Sequence, residues 1–369
     1  MSEQLRRSPL HQQHVAAGAH FGAFSGWEMP LRYAGTLTEH AAVRHDCGIF
    51  DVSHLGVVDV IGADALAVVG RTFTNDVTVL DDGDAQYSLC LAADGTVNDD
   101  LIVYRIRADW LRAIPNAANT AAVQAALRTD LAAQDARVVQ HSTAAVLALQ
   151  GPASAAAVTH ILDALEIASP VMDLNYMSFQ LFQHAGTDVM LSRTGYTGEY
   201  GFEIVTNQTV GQIVWDTAVQ HGVTPAGLAA RDTLRLEMGY PLHGHELSST
   251  TTPLRRNVAF AVRSTNQTFV GAEALNVTAK PDQVMRGVKA TGRRPFRDGM
   301  TVYAGDTPVG TLTSGGISPT LGVAIGLGML NDTVPVDAAV TVDVRGSREP
   351  AIVTRAPFVS SDPRRIPQP

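Results

Sequence analysis

The segment SRTGYTGEYGFE, residues 192–203, combines glycine at every third position with aromatic side chains and two carboxylates. Glycine permits positive φ and a close backbone approach, so this spacing predicts a loop that a ligand can approach closely. Such loops often bind phosphate, but Glu199 and Glu203 would repel an anion. The residue types favour a flat, neutral heterocycle, which stacks on aromatic rings and donates paired N–H groups to a carboxylate. A tyrosine-bearing hairpin turn without a ligand is the alternative.

Two adjacent carboxylates, Asp99 and Asp100, precede the apolar run LIVY. On an extended chain neighbouring side chains point in opposite directions, so only one of the two faces a given pocket. Asp100 shares a face with Ile102 and Tyr104, and a carboxylate at the mouth of a strand beside an aromatic ring suits proton transfer. A pair of solvated turn acids is the simpler alternative.

The segment GLAARDTLRLEMG, residues 227–239, is typical of an amphipathic helix that places Arg231 and Arg235 on one face. Two guanidiniums near a helix start suit a carbonyl or carboxylate of a ligand. They are equally suited to ion pairs with Glu237 or other acids.

Two further clusters of polar residues carry weaker signals. The string HGHE, residues 243–246, lacks a third ligand at a suitable spacing, so no metal site is expected. Arg286, Arg293, Arg294 and Arg297 form a basic run on an acidic chain, which is either solvated or meets an acidic partner. We take Arg293, Arg294 and Arg297 as the candidates for such docking.

Composition limits the class of protein. A chain of 369 residues predicts two or three domains, and 45% hydrophobic with 17% charged residues is typical of a soluble globular protein. No apolar run approaches the roughly 20 residues of a membrane span, and the N-terminus lacks the apolar core of a signal peptide. Cys47 and Cys90 form no CxxC motif, so we expect a cytoplasmic protein. The net charge of −9 argues against nucleic-acid binding.

Secondary-structure signals interleave in the first part of the chain and become purely β later. Strands are predicted at 57–61, 101–106, 146–150, 189–192 and 202–205, and helices at 117–131, 152–165, 210–221 and 226–239. Hairpins are predicted to turn at Gly305–Asp306 and Arg345–Gly346. This pattern indicates an α+β or mixed α/β region at 8–278, a small β domain at 285–358, and a flexible, proline-rich tail at 359–369.

Seven motifs in one order resemble the aminomethyltransferase, or T-protein, family of the glycine cleavage system. They are GWEMPLRY (26–33), GIFDVSHLG (48–56), NDDLIVY (98–104), LQGP (149–152), RTGYTGEYGFE (193–203), GLAARDTLRLE (227–237) and TSGGISPTLG (313–322). The resemblance covers about residues 8 to 358. It implies an α+β fold of three domains, two of them interleaved within 8–278, in a ring around a central folate site, with a small C-terminal domain resembling a β-barrel.

The resemblance also implies a reaction with tetrahydrofolate as co-substrate and the lipoylated H protein as partner. The methylene carbon of the aminomethyl group on the lipoyl arm passes to tetrahydrofolate, which gives 5,10-methylenetetrahydrofolate, ammonia and dihydrolipoyl H protein. We expect neither a membrane nor a nucleic acid as a partner.

Particular residues match the family's functional positions. Asp100 matches the catalytic carboxylate beside the reacting folate nitrogens, Glu203 the acid at the pterin edge, and Arg231 a folate-contacting arginine. The other residues implied to line the folate site are Leu55, Tyr87, Ile102, Tyr104, Asn116, Tyr176, Tyr196 and Phe260. Phe260 stands where relatives often carry tryptophan, and Ser248 and Ser249 stand where two acids are usual.

Two other functions remain open at this point. A tetrahydrofolate-dependent demethylase of a small methyl donor shares the fold and would produce 5-methyltetrahydrofolate. A folate-binding accessory protein without turnover is the other, although its cysteine motif of the type KGCYxGQ is missing. The sequence gives no oligomeric state, no H-protein contact surface and no preferred length of the folate tail.

Overall fold

The computed structural model describes residues 4–129, 131–168, 171, 174–263, 268–277 and 282–367. The α-helices in these ranges are α1 (His11–Ala16), α2 (Thr36–His45), α3 (Ala65–Thr72), α4 (Thr120–Arg128), α5 (Ser154–Ala164), α6 (Gln208–Gln220), α7 (Leu228–Met238) and α8 (Ala272–Val277). Short 3₁₀ helices lie at Val77–Val79, Leu131–Ala133 and Ala259–Ala261. None of the described helices has the length and apolar character needed to cross a membrane.

The described residues form twenty strands. They are β1 (Arg6–Arg7), β2 (His20–Phe24), β3 (Trp27–Arg32), β4 (Gly48–Asp51), β5 (Val58–Ile61), β6 (Ala85–Leu91), β7 (Val97–Arg107), β8 (Trp110–Ile114), β9 (Arg137–Gln140), β10 (Ala144–Gln150), β11 (Phe179–His184), β12 (Thr187–Ser192), β13 (Gly201–Asn207), β14 (Thr224–Pro225), β15 (Gln283–Ala290), β16 (Thr301–Ala304), β17 (Thr307–Ile317), β18 (Ala324–Asn331), β19 (Ala339–Val344) and β20 (Ser347–Thr354).

Two larger sheets interleave along the chain. A six-stranded sheet has the order β11-β12-β13-β10-β4-β14, and a five-stranded sheet has the order β6-β7-β8-β5-β9. The chain leaves the first sheet after β4, builds the second sheet, and returns to the first with β10. A small sheet of order β1-β3-β2 precedes both.

Strand β10 is central in the six-stranded sheet and is buried on both faces. Leu147 and Leu149 pack in one core cluster with helices α5 and α6. Val146 and Ala148 point the other way, into a second cluster that includes Tyr104 of β7 and part of α7. Because both faces are covered, the sequence AAVLALQ is continuously apolar rather than alternating.

The C-terminal strands close into a barrel of order β15-β18-β17-β16-β19-β20. Its hairpins turn at Gly305–Asp306 and Arg345–Gly346, as predicted. Closure removes exposed strand edges and encloses an apolar core that includes Phe296 and Leu312. The predicted fold class, α+β with a small C-terminal β-barrel, is confirmed.

The predicted elements are present, with shifted ends. All five predicted strands lie within or almost within observed strands. The helix predicted to end near Gly239 ends at Met238, and the next residue, Gly239, adopts a φ of +69°. A Cβ at Gly239 would lie 2.1 Å from the Cβ of Ala356, so the barrel's close approach also requires glycine. The predicted helix 117–131 is shorter, and the helix expected at Pro152 begins at Ser154.

The C-terminal tail makes specific contacts. Its composition predicts a flexible segment, but the Ser361 hydroxyl lies within hydrogen-bond distance of two acceptors, Gly198 O and Glu199 Oε1, both at 2.8 Å. Arg193 Nη2 donates to Pro363 O at 2.9 Å. Tail and glycine-rich loop are therefore packed together, a long-range contact that local composition does not reveal.

A buried carboxylate, that of Glu237 on α7, joins three parts of the molecule. It accepts hydrogen bonds from Arg44 Nη2 of α2 at 2.8 Å, and from Thr320 N at 3.0 Å and Ser318 Oγ beside the barrel. Arg44 Nη1 in turn donates to Glu199 of the glycine-rich loop at 2.8 Å. Burial alone would raise the pKa of Glu237, but hydrogen bonds from His40 and Ser318 and the Arg44 charge lower it to about 2.

We predict that Glu237→Gln lowers the free energy of unfolding by about 3 kcal/mol, because it leaves a buried guanidinium without one of its carboxylates. Urea unfolding followed by circular dichroism measures this. The carboxylate's contribution is fully present above its unfolded pKa of 4.5 and is lost as the pH falls toward 2. The difference between wild type and variant should therefore narrow over that range.

The matched control is Glu349→Gln, which removes the carboxylate of the exposed Arg294–Glu349 pair. It should change the free energy of unfolding by less than about 1 kcal/mol. The proposed contribution of the buried network to stability would be contradicted if both variants lost the same free energy of unfolding. It would also be contradicted if the loss for Glu237→Gln did not depend on pH.

Candidate active site

A cavity of about 1300 Å³ lies where the two larger sheets, helix α7 and the barrel meet. All eleven residues predicted for the site line its wall. They are Leu55, Tyr87, Asp100, Ile102, Tyr104, Asn116, Tyr176, Tyr196, Glu203, Arg231 and Phe260. The fold thus brings together residues that are separated by up to about two hundred positions in sequence. Their individual roles remain predictions.

The two adjacent acids of β7 point in opposite directions, as the strand period requires. Asp100 faces the cavity, where its Oδ2 accepts a hydrogen bond from Tyr87 Oη at 2.9 Å. Asp99 is fully buried behind the strand and accepts hydrogen bonds from Asn116 N at 2.9 Å and Asn119 Nδ2 at 2.7 Å. Asn116 Nδ2 also donates to the backbone oxygen of Asp100 at 3.0 Å. Asn116 therefore connects the two acids and fixes the orientation of the pair.

Burial raises the pKa of Asp100, against the smaller opposing effects of the Tyr87 hydrogen bond and the nearby His243. Burial, and then the charge of Asp100, also raises the pKa of Asp99. Two carboxyls this close disfavour double ionisation. The pair can therefore exchange a proton closer to neutral pH than an exposed aspartate can.

Glu203, on β13, presents one carboxylate oxygen to the cavity. Its Oε2 accepts a hydrogen bond from Thr194 Oγ1 at 2.5 Å. The Thr194 hydroxyl also lies 3.2 Å from Tyr104 Oη and 2.8 Å from Ser192 Oγ, so a chain of hydroxyls fixes the carboxylate. Among the residues that the structure describes, no donor forms a hydrogen bond with Glu203 Oε1, so this oxygen is available to a ligand.

Arg231, in the first turns of α7, presents a donor to the same cavity. Its guanidinium lies 4.9 Å from the ring centroid of Tyr196, which itself stacks on Tyr240 at 5.7 Å. Its Nη1 is buried and has no hydrogen-bond partner among the residues that the structure describes. A buried unpaired donor is costly, so this atom suits an acceptor on a ligand.

The other arginine of α7 is used differently. Arg235 pairs with Asp232 at 2.8 Å and with Glu246 at 3.2 Å, and its Nη2 donates to Ser314 Oγ of the barrel. Neither Arg231 nor Arg235 pairs with Glu237, whose partner is Arg44 of α2. Arg235 is thus a structural residue at the cavity wall.

The HGHE segment supplies three separate contacts. His243 Nε2 lies 3.2 Å from Val97 O, His245 Nδ1 lies 3.0 Å from Thr313 O, and Glu246 pairs with Arg235. In the described part of the chain, no group of three His, Cys, Asp or Glu side chains is arranged to hold a metal ion.

The arginines of the basic run also lie in different surroundings. Exposed Arg294 pairs with half-buried Glu349 at 2.6 Å, whereas Arg297 lines the cavity and its Nη1 donates to Phe296 O at 2.8 Å. Arg293 is exposed and does not line the cavity.

Sequence reasoning missed His54, whose side chain lines the cavity and is almost completely buried. Burial, and then the charge of Arg231, lowers its pKa to about 4, so the imidazole is neutral at physiological pH. The motif SHLG carries no spacing that would have marked it.

Phe260 lies at the edge of the cavity and is 71% exposed. Its ring centroid lies 5.6 Å from that of Tyr87, at an interplanar angle of 30°. In the Ser248–Ser249 loop, Ser248 N donates to Thr251 Oγ1 at 2.9 Å, and Thr251 O accepts a hydrogen bond from Val97 N of β7 at 2.8 Å.

Two family models match the chain. The family model described as the GCVT N-terminal domain matches residues 10–266, and the Glycine cleavage T-protein C-terminal barrel domain matches residues 284–360. An aminomethyltransferase of Mycolicibacterium paratuberculosis is 44% identical over 364 residues, which cover 96% of this chain and 97% of the relative. One from Frankia alni is 44% identical over 369 residues, covering 98% and 99%.

A solved structure agrees with the sequence matches. The crystal structure of the glycine cleavage system aminomethyltransferase T from Bartonella henselae is 31% identical, has a TM-score of 0.89, and covers 97% of this chain and 99% of its own. The chain therefore belongs to the glycine cleavage T-protein family, a family of aminomethyltransferases.

Proposed function

We propose that the cavity binds tetrahydrofolate, and that the protein transfers to it the methylene carbon of the aminomethyl group on the lipoyl arm of H protein. The observation that carries the folate assignment is the presence in one cavity of an acceptor, Glu203 Oε1, and a donor, Arg231 Nη1. Among the residues that the structure describes, neither atom has a hydrogen-bond partner, and both residues line one cavity that also contains aromatic rings.

The pterin edge fits these two groups. Its N3–H and 2-amino group are donors that suit the Glu203 carboxylate, and its neighbouring oxygen is an acceptor that suits the Arg231 guanidinium. Leu55, Ile102 and Tyr104 supply apolar wall for the ring faces. A phosphate-bearing ligand would instead meet the repulsion of Glu203 and Asp100.

The balanced reaction needs two proton movements. The carbon–sulfur and carbon–nitrogen bonds of the aminomethyl group break, and bonds from that carbon to N5 and N10 of tetrahydrofolate form. The two protons leaving the folate nitrogens end on ammonia and on the lipoyl thiol. The enzyme must therefore position a proton acceptor beside the folate nitrogens.

Asp100 is the residue that we assign to this role. It faces the cavity, its carboxyl is oriented by Tyr87 and Asn116, and burial raises its pKa. Its oxygens can orient and polarise a folate N–H, and in its anionic form it stabilises the positive charge that develops on the transferred carbon.

We propose that the donor is the lipoylated H protein, as in the glycine cleavage system of the relatives, and that the reaction takes place in the cytoplasm. The thiols of Cys47 and Cys90 are both free and buried, which is compatible with a reducing compartment. Burial raises the pKa of both thiols to about 12, so neither is a nucleophile in the reaction.

Asp100→Asn is expected to lower kcat by about 10²- to 10⁴-fold, because the amide cannot accept a folate proton. Folate affinity should stay within about tenfold, since the amide keeps the shape of the carboxyl. Single-turnover kinetics and equilibrium folate binding measure the two effects. As the pH is lowered, the kcat of the wild type should begin to fall at a pH above 3.8, the ordinary pKa of aspartate, because the pKa of Asp100 is raised.

The control for Asp100→Asn is Asp298→Asn, which removes an exposed carboxylate from the same cavity wall. It should leave kcat nearly unchanged. Unchanged turnover in Asp100→Asn would exclude the assigned role.

Glu203→Gln is expected to weaken tetrahydrofolate binding by about tenfold or more, because a charge-assisted acceptor for two parallel donors becomes a neutral amide. Turnover of the bound complex should change less than affinity. Titration calorimetry of the variant against the Asp298→Asn control measures the loss. Folate affinity equal to that of the wild type would show that Glu203 does not hold the pterin.

A further inference from the structure

Asp99 is the buried neighbour of Asp100, and the proposed reaction so far gives it no role. Its side chain is completely buried behind strand β7. Its two oxygens accept three hydrogen bonds. Oδ2 accepts from Asn116 N at 2.9 Å, and Oδ1 accepts from Asn116 Nδ2 at 2.9 Å and from Asn119 Nδ2 at 2.7 Å. All three donors are N–H groups, which suit a carboxylate in its charged form.

A proton on Asp99 would have no acceptor in this arrangement. The O–H of a neutral carboxyl donates a hydrogen bond, and a buried donor without a partner is costly. Both oxygens of Asp99 face N–H donors instead, and one of these is the backbone N–H of Asn116, which cannot become an acceptor. Two or three N–H hydrogen bonds strongly favour the charged form of a carboxylate.

Asp100, in contrast, can accommodate a proton. It is half-buried and lines the cavity. Its Oδ2 lies 2.9 Å from the hydroxyl of Tyr87, which can donate or accept a hydrogen bond. An O–H on Asp100 therefore finds an acceptor either in Tyr87 or in a ligand of the cavity.

The charges of the two acids depend on each other. Burial, and then the charge of Asp100, raises the pKa of Asp99, whereas the hydrogen bonds from Asn119 and Asn116 lower it. When Asp100 takes a proton, its charge disappears, and with it one of the two causes that raise the pKa of Asp99. Of the two carboxyls, Asp100 is therefore the one that takes up a shared proton.

We propose that Asp99 stays ionised throughout the reaction and is a positioning residue that makes Asp100 a stronger base. This inference rests on the proposed function of Asp100. The proton that leaves a folate nitrogen moves to Asp100 and from there to the leaving nitrogen or sulfur, while Asp99 gains and loses none. A negative charge behind the strand raises the affinity of Asp100 for that proton without occupying the cavity.

Other titratable groups that face the two acids are Tyr87 and Cys90 of β6, Tyr196 of the glycine-rich loop, and His243. Burial raises the pKa of both phenols and of the thiol, so these three groups stay neutral while the carboxyls titrate. His243 lowers the pKa of Asp100, and it is present in every variant compared below.

The test is the pH dependence of kcat in the variant Asp99→Asn, measured in single turnovers from aminomethylated H protein. The acid limb, which is the fall of kcat at low pH, should move toward lower pH by about one unit. The reason is that the carboxyl of Asp100 loses a neighbouring like charge, so its pKa falls. Above the limb, kcat should fall by about tenfold or less, because a weaker base accepts the folate proton less readily.

The matched control is Asn119→Ala, which removes one of the three donors to Asp99 but leaves its charge. Two N–H donors remain, so Asp99 stays ionised and the acid limb should keep the position that it has in the wild type. Both variants alter the same buried surroundings, and only Asp99→Asn removes the charge.

Infrared difference spectroscopy tests the assignment even if Asp99→Asn folds poorly. When the pH of the wild type is lowered through the acid limb, the C=O stretch of a buried protonated carboxyl should appear. This band should be missing from Asp100→Asn at the same pH, because Asp99 remains a carboxylate.

Three results would overturn the inference. They are an acid limb that does not move in Asp99→Asn, an equal movement in Asn119→Ala, or a buried protonated carboxyl that persists in Asp100→Asn. A wild type that forms no 5,10-methylenetetrahydrofolate would instead reject the proposed function. The infrared spectra would then still show which of the two acids takes up the proton.

Discussion

The carboxylate of Glu237 is the interaction on which the geometry of the site depends. It lies fully buried at the junction of α2, α7 and the barrel, and Arg44 extends the same network to the glycine-rich loop. Helix α7 carries Glu237 near its end and Arg231 near its start. Fixing the end of α7 against the barrel therefore fixes where Arg231 enters the cavity. The same network holds the loop that leads into β13 and Glu203.

The side chains that we assign to the reaction stand on strands rather than on loops. Asp100, Ile102 and Tyr104 alternate along one face of β7, and Glu203 stands on a strand of the neighbouring sheet. Hydroxyls and amides complete the orientation, with Thr194 holding Glu203 and Asn116 holding the acids of β7. These hydrogen bonds hold the carboxyl of Asp100 in place without an ion-pair partner. An ion-pair partner would lower the pKa of that carboxyl, whereas proton exchange near neutral pH requires a raised pKa.

Much of this arrangement could be predicted from sequence wherever the controlling physics is local. The opposite directions of Asp99 and Asp100 follow from the strand period, and the barrel hairpins follow from turn residues such as Gly305. Long-range contacts could not be predicted. Arg44 and Glu237 are 193 positions apart, and only the fold reveals that they are partners. The composition of the tail likewise gives no sign of the hydrogen bond between Ser361 and the glycine-rich loop.

The most direct test of the account mixes the purified chain with aminomethylated H protein and tetrahydrofolate, and follows ammonia together with 5,10-methylenetetrahydrofolate. We expect the two products to form in equal amounts, with release of the dihydrolipoyl arm. Measurable folate binding without either product would contradict the account and favour a non-catalytic folate-binding protein. Formation of 5-methyltetrahydrofolate from a small methyl donor, with no reaction of H protein, would identify a demethylase instead.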